Sequence, residues 1–307
     1  MTTLLDVIGP DRDGRVVLTD SGLGGLSICA GLERRLRTAG GGRRFDLVYV
    51  NAWPDEGRGY NDLPGDAARA AVFDRALAAM ARYRPDLVVI ACNTLSVVYE
   101  KTDFARSPVA PVTGIVDAGV ELFAEALSGD PAATLVLFGT RTTVASGEHV
   151  RRLAARGIDP RRVRAVACHG LAAAIDRDPD ADALPGLVEA CVARALEAGP
   201  AGPAPLAGLA CTHYGYVAAE FGRAFERLAG APPVRILDPN ERLVAGLTAG
   251  LDDDAFAGAI PSAVTVEVVS KVALAESQRR AVARRLEPVS PATARALLDY
   301  THIPTLF

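Results

Sequence analysis

The sequence predicts an α/β protein of two facing, pseudo-symmetric, doubly wound domains with mainly parallel sheets. Short apolar runs recur along the chain and stop abruptly at polar or glycine residues, as strands buried on both faces of a parallel sheet do. Ala-, Leu- and Arg-rich segments with helical spacing separate them, the alternation expected of α/β architecture. The runs also fall into two sets of four with a nearly constant offset.

Taken in order, the first set is RVVLTDSG (15–22), FDLVYVNA (45–52), PDLVVIACNT (85–94) and APVTGIVD (110–117). The second is ATLVLFGT (133–140), RVRAVACHG (162–170), LAGLACTH (206–213) and PVRILDPN (233–240). The clearest helix between them is 64–84, which opens on Pro-Gly-Asp and stops before Pro85, a sound start and stop. Asp20 and Thr140 end first strands 120 positions apart, and Cys92 and Cys211 end third strands 119 apart. Val48 and Ala165 in the second strands differ by 117, and Val112 and Val234 in the fourth by 122. Two similar halves related by duplication account for these offsets; the period is far too long for a solenoid.

Composition excludes several classes. Half of the 307 residues are apolar and 23% are charged, ordinary for a globular protein. A net charge of −4 without a basic stripe speaks against nucleic acid as a partner. No apolar run approaches the ~18 residues of a membrane span, and the N-terminus lacks the basic start and sustained apolar stretch of a signal peptide. A cytoplasmic location is expected. Cys29, Cys92, Cys168, Cys191 and Cys211 are odd in number and widely spaced, which argues against a disulfide framework and a structural zinc site. Only Lys101 and Lys271 could form the Schiff base of a pyridoxal-phosphate enzyme, and neither adjoins a phosphate-binding loop.

In open parallel sheets ligands bind beyond the carboxyl ends of the strands, where Asp20, Cys92, Thr140 and Cys211 are expected. If the two sheets face each other, one cleft receives two cysteines from opposite sides. Reversal of a stereocentre requires that geometry: one group removes a proton from one face and another delivers one to the other. In TDSGLGGLS (19–27), Gly22 and Gly24 fit part of a dinucleotide fingerprint, but Ser27 occupies the third glycine place and Asn51 stands where an acidic ribose ligand belongs. The alternative is a tight turn with close helix packing. In VIACNTLS (89–96), a helix beginning after Cys92 would favour an anion such as a substrate carboxylate and lower a thiol pKa, with Asn93 and Thr94 as donors. The threonines of FGTRTTVASGEHV (138–150) either cap the next helix or face the cleft. Ser146 lacks the G-x-S-x-G context of a hydrolase nucleophile.

TDSGLGGLS, VIACNT, GTRTTVASG and LACTHY, in this order and spacing, resemble the glutamate racemases of the aspartate/glutamate racemase superfamily over roughly residues 15 to 250. The Cys-Thr-His triplet favours the glutamate branch; aspartate racemases usually carry Cys-Thr-Glu there. The resemblance implies a cofactor-independent racemase acting on an acidic amino acid, glutamate above all, supplying D-glutamate for peptidoglycan. It implies that Cys92 and Cys211 exchange the α-proton, with Asp20 assisting the first and His213 the second. Ser21, Tyr60, Asn61, Asn93, Thr94, Thr140, Thr143 and Thr212 match substrate-holding positions. It further implies a homodimer, no metal, and domains of 1–108 with 221–307 and of 109–220.

The chain departs from the family pattern at Gly59-Tyr60-Asn61, where Pro-Tyr-Gly is usual, and at Gly215, where proline is usual. Substrate choice is expected to lie there. The tail after about Ser270 has no assignment. Cys29, Cys168, Cys191, His149, His169 and His302 are expected to be packing residues. Rival readings are a racemase, epimerase or related isomerase of another amino or carboxylic acid, and a catalytically silent binding protein of this fold.

Overall fold

All eight apolar runs contribute strands; those at the centres of the sheets are buried between helix layers, while Val112–Gly114, Val163–Ala167 and Arg235–Leu237 at the edges are only partly buried. In the computed structural model residues 2–197, 204–229, 234–251 and 261–307 are described. The chain runs α1 (Leu4–Ile8), β1 (Gly14–Asp20), α2 (Leu26–Ala39), β2 (Arg44–Asn51), α3 (Gly65–Met80), β3 (Leu87–Ile90), α4 (Asn93–Tyr99), β4 (Val112–Gly114) and α5 (Ile115–Gly129). A second series follows: β5 (Ala133–Gly139), α6 (Arg141–Ser146), α7 (Glu148–Ala155), β6 (Val163–Ala167), α8 (Leu171–Arg177), α9 (Leu184–Glu197), β7 (Ala204–Ala210), α10 (Ala218–Ala229), β8 (Arg235–Leu237) and α11 (Pro239–Leu247). The tail adds β9 (Ala263–Ser270), α12 (Glu276–Leu286), α13 (Pro291–Leu298) and β10 (Thr301–His302).

Both sheets are parallel throughout. The first has the order β10-β9-β2-β1-β3-β4 and the second β6-β5-β7-β8. The order 2-1-3-4 of the first four strands recurs in the second four, the pattern expected of a duplicated half. Successive side chains of a strand point to opposite faces. Val16 and Leu18 therefore join the core under α2 and α11, while Val17 joins the one under α3 and α4. In the second sheet Val136 and Phe138 pack with α8, α9 and α10, and Leu135 and Leu137 with α5 and α7.

Several strands are shorter than their apolar runs. The run 85–94 yields Leu87–Ile90, because Cys92 is the extended residue that precedes α4. The run 110–117 yields only Val112–Gly114 before α5 begins. Pro233, where the last run starts, lies outside the described residues. The helix expected over 64–84 covers Gly65–Met80, and a 3-10 turn carries it to Tyr83. Sheet membership places both chain crossings later than 108 and 220: Val112–Gly114 hydrogen-bonds within the first sheet and Arg235–Leu237 within the second. Each fourth strand stays with its own sheet because it pairs directly with the third. Strand β9 was not anticipated; it pairs along the full length of β2. Its exposed and half-buried residues alternate over the first half, so it has no continuous apolar run. Among the described residues no helix is long and apolar enough to cross a membrane.

Candidate active site

The carboxyl ends of the two sheets face each other across a cavity of about 120 Å³, room for a small molecule rather than a dinucleotide. From the first sheet, β1 ends on the fully buried Asp20, and Cys92 follows β3 with 5% exposure. From the second, β5 leads to Thr140 and β7 to Cys211, which is 6% exposed. Both cysteines line the cavity.

Around Cys92, the Ser21 hydroxyl lies 3.2 Å from Sγ. Burial, followed by the charge of Asp20 and a hydrogen bond to it, holds this thiol well above its ordinary range. Cys92 is thus a protonated thiol resting against a carboxylate. Asp20 accepts from Ser21 N and Gly25 N, each at 2.6 Å, and from Thr212 Oγ1 at 2.8 Å. These donors satisfy the buried charge. Thr212 belongs to the opposite half, so its hydroxyl serves as a latch across the cleft as well as part of the wall.

Around Cys211, His213 Nδ1 lies 3.8 Å from Sγ and Nε2 lies 2.8 Å from Asp176 Oδ1. Burial, the largest influence on the ring, favours the neutral form. The bonds to Asp176 and Cys211 outweigh it and raise the His213 pKa well above the usual imidazole value. Gly24 N also lies 3.1 Å from Nε2. A protonated Nε2 has no lone pair to offer that amide, so the carboxylate contact orients the ring. Leu23 N donates to the same Asp176 oxygen at 2.7 Å.

Asp176 was absent from the residues singled out in the sequence. It lies within the Ala-rich α8, away from any strand end. A signal existed: α8 follows the second strand of its half, as the Tyr60 loop follows the second strand of the other, and both exits reach the cavity. The glycines of TDSGLGGLS serve this contact. A Cβ on Gly24 would lie 2.5 Å from His213 Nδ1 and 2.7 Å from Thr212 Oγ1. The turn is bare so that the opposite half can close onto it.

The remaining expected residues sit as follows. Asn93 is 2% exposed, lines the cavity, and has both amide atoms buried without a partner. The Tyr60 hydroxyl is likewise buried, unpartnered and in the cavity wall, and burial raises its pKa, so it stays a neutral phenol. Orphaned buried polar atoms are costly, and a polar ligand in the cavity would satisfy them. Thr94 Oγ1 meets Thr140 Oγ1 at 2.8 Å, and Thr143 Oγ1 accepts from Thr140 at 3.0 Å. Thr94 and Thr140 line the cavity and Thr143 stands one hydroxyl behind. Thr140 also caps α6, so capping and facing the cleft are combined. Asn61 lines the cavity, but its side-chain Oδ1 accepts from Thr142 N at 3.1 Å and Thr142 Oγ1 at 2.9 Å. That oxygen fastens the Tyr60 loop to α6.

Trp53, Arg141 and His169 are among the further wall residues that were not singled out as site residues. His169 is exposed at the cavity rather than packed, and His302 is exposed on the last strand with Nε2 at 3.1 Å from the Lys271 carbonyl. His149, Cys29 and Cys191 are buried as expected, whereas Cys168, also buried, forms part of the cavity wall.

Gly215 is not in that wall. A Cβ there would lie 2.5 Å from Asp238 Oδ2 and 2.8 Å from Asn240 Nδ2. Asn240 Nδ2 donates to the Thr212 carbonyl at 3.1 Å, so this contact supports the Cys-Thr-His turn from behind. A proline there would meet the same side-chain atoms. Gly215→Ala should destabilise the protein by about 2 kcal/mol, the usual cost of overpacking, read from urea unfolding at neutral pH. An unchanged midpoint would show that Asp238 and Asn240 move aside freely. Among the described residues no cluster of three or more His, Cys, Asp or Glu side chains could hold a metal ion.

Comparison with known proteins follows the same lines. A family model described as Asp/Glu/Hydantoin racemase matches residues 22–247. Glutamate racemase from Brucella canis is 30% identical over 254 residues, covering 81% of this chain and 84% of that protein. The Brucella anthropi glutamate racemase is 29% identical over 234 residues, covering 76% and 78%. Among solved structures, glutamate racemase from Campylobacter jejuni superposes with a TM-score of 0.64 at 22% identity, over 89% of this chain and 98% of that one. The Francisella tularensis enzyme, in complex with D-glutamate, gives 0.65 at 15% identity over 97% and 98%. At such identities these structures establish the shared fold.

Proposed function

This chain belongs to the Asp/Glu/hydantoin racemase family, and we propose that it interconverts L- and D-glutamate by a two-cysteine mechanism without a cofactor. The observation that carries this reading is one cavity walled by two cysteines from equivalent strand ends of two halves, each beside its own acid–base group.

In one direction a Cys211 thiolate removes the α-proton. An imidazolium beside a sulfur favours the thiolate, and Asp176 keeps His213 in that form. The carbanion then takes a proton on its other face from the Cys92 thiol, whose S–H is already present. In the reverse direction the Cys92 proton passes to Asp20, the resulting thiolate attacks, and Cys211 supplies the new proton. Each cycle leaves the sulfurs with their roles exchanged, and Asp20 and His213 restore them. The unpartnered Asn93 amide and Tyr60 hydroxyl, with the Thr94 and Thr140 hydroxyls, hold the amino and carboxylate groups. The D-glutamate formed would serve peptidoglycan synthesis.

A second reading keeps the chemistry and changes the amino acid. The Gly59-Tyr60-Asn61 loop favours it, since it departs from the family pattern and borders the cavity. Incubation in D₂O with each enantiomer of glutamate, then with a panel of other amino acids, followed by NMR of the α-proton, separates the two. Exchange with both glutamate enantiomers is the expected result. Exchange with another amino acid alone moves the substrate, and exchange with none refutes a racemase.

A further inference from the structure

The segment that follows the family-matched region reaches the back of the site, outside its cavity. Helix α12 belongs to the tail of the first half, yet it packs against α8 of the second. Arg285 and Arg284 bridge to Asp180 at 2.6 and 3.5 Å. This docking carries Gln278, in the first turn of α12, to the back of the relay. Its Nε2 donates to Asp176 Oδ2 at 2.7 Å. A carboxylate only accepts, so the amide nitrogen must be the atom facing it. Asp176 Oδ1 is engaged by Leu23 N and His213. The two carboxylate oxygens are therefore held from opposite sides, one by the relay and one by the tail.

We infer that Gln278 is a positioning residue for the reaction: it orients the Asp176 carboxylate on His213, and through it the imidazole on Cys211. Gln278 does not touch the catalytic cavity; it lines a neighbouring cleft that shares Asp176 and Trp53 with it. Without the amide, the carboxylate keeps only the bonds on Oδ1 and is free to turn about them. A ring 3.8 Å from its sulfur has little tolerance for such rotation, since misplacement by about 1 Å can cost 10²-fold. The other ionisable groups around Asp176 do not take this place. Tyr49, buried, and Tyr216, half-buried, lie near it as neutral phenols. Arg177 and Glu56 line the neighbouring cleft, and Glu56 accepts from Ala273 N. Arg285, near Tyr216, is engaged by Asp180. Asp20 is satisfied by the donors described above.

This inference rests on the relay in the proposed function. Its test uses the full-length protein and two variants, Gln278→Met, which keeps the volume and removes the donor, and Gln278→Glu, which sets an oxygen against an oxygen. Gln278→Met should lower kcat about tenfold, the lower end of what a misaligned acid–base group costs, with KM within twofold and the thermal midpoint unchanged. In ¹⁵N-histidine NMR the titration midpoint of His213 should move down toward the ordinary imidazole value. Gln278→Glu should lose at least as much activity, and it decides the matter should the methionine variant fail to fold. An unchanged kcat in either folded variant overturns the inference. So does a loss of activity that follows the thermal midpoint while the His213 midpoint stays in place. If the wild type exchanges no α-proton from any amino acid, the racemase reading fails, while the His213 titration still decides the role of Gln278.

Discussion

Cys211→Ala and Cys92→Ala should each lower racemisation of glutamate by about 10³-fold or more, because in the proposed mechanism each removes the group that exchanges the proton on one face. Both side chains are small and buried, and deleting a sulfur leaves a gap that costs about 1 kcal/mol. The variants should therefore stay folded, and loss of activity would report chemistry. Each should retain a partial reaction: with one cysteine left, one enantiomer can still exchange its α-proton with solvent from the remaining face. Circular dichroism follows inversion, and NMR in D₂O follows exchange. Racemisation at the wild-type rate in Cys211→Ala would sink the two-thiol mechanism.

The second large effect concerns stability. His149 lies in α7 with 2% exposure, and both ring nitrogens are buried without a partner. Burial, with Arg152 adding to it and Glu148 opposing, lowers its pKa from 6.5 to about 4. The folded protein holds this ring neutral, whereas the unfolded chain binds a proton below pH 6.5. Its stability is therefore complete above pH 6.5 and declines as the pH falls toward about 4. Each tenfold difference in proton affinity between the folded and unfolded chain is worth about 1.4 kcal/mol, so the full loss is on the order of 3 kcal/mol, and about 2 kcal/mol is already lost at pH 5. His149→Leu removes the titration and keeps the ring's place against Phe123, whose centroid is 6.2 Å away. Urea unfolding at pH 7 and pH 5 should show the drop in stability shrinking by about 2 kcal/mol in the variant. An identical drop in both proteins would mean that other groups govern acid sensitivity.

The placement of side chains at strand ends was legible in the sequence. Asp20, Cys92, Thr140 and Cys211 end apolar runs, and in a parallel sheet that position alone directs a side chain to the ligand-binding edge. His213, two residues past Cys211, was legible for the same reason. Strand β9 was not, because a strand half-exposed over part of its length alternates instead of running apolar. The crossings between halves were expected too early, since the pairing of a fourth strand is a choice among neighbours that local sequence does not record. The loop around Tyr60 was located correctly, but only the structure shows the Asn61 oxygen turned toward Thr142.

By itself the sequence determined the α/β class, the repeated four-strand plan and the cysteines, aspartate and histidine at its strand ends, because burial and strand periodicity are local. The tertiary structure decided which distant groups meet. Asp176 lies 37 positions before His213 and Gln278 lies 102 after Asp176; nothing in either neighbourhood marks the contact. Helix α8 brings the carboxylate to the ring, and the docking of α12 brings the amide to the carboxylate. Likewise Gly24 and Gly215 are explained only by what approaches them from the other side of the chain. Hydrogen bonds over such separations exist only where distant elements pack together, so their partners are chosen by the packing.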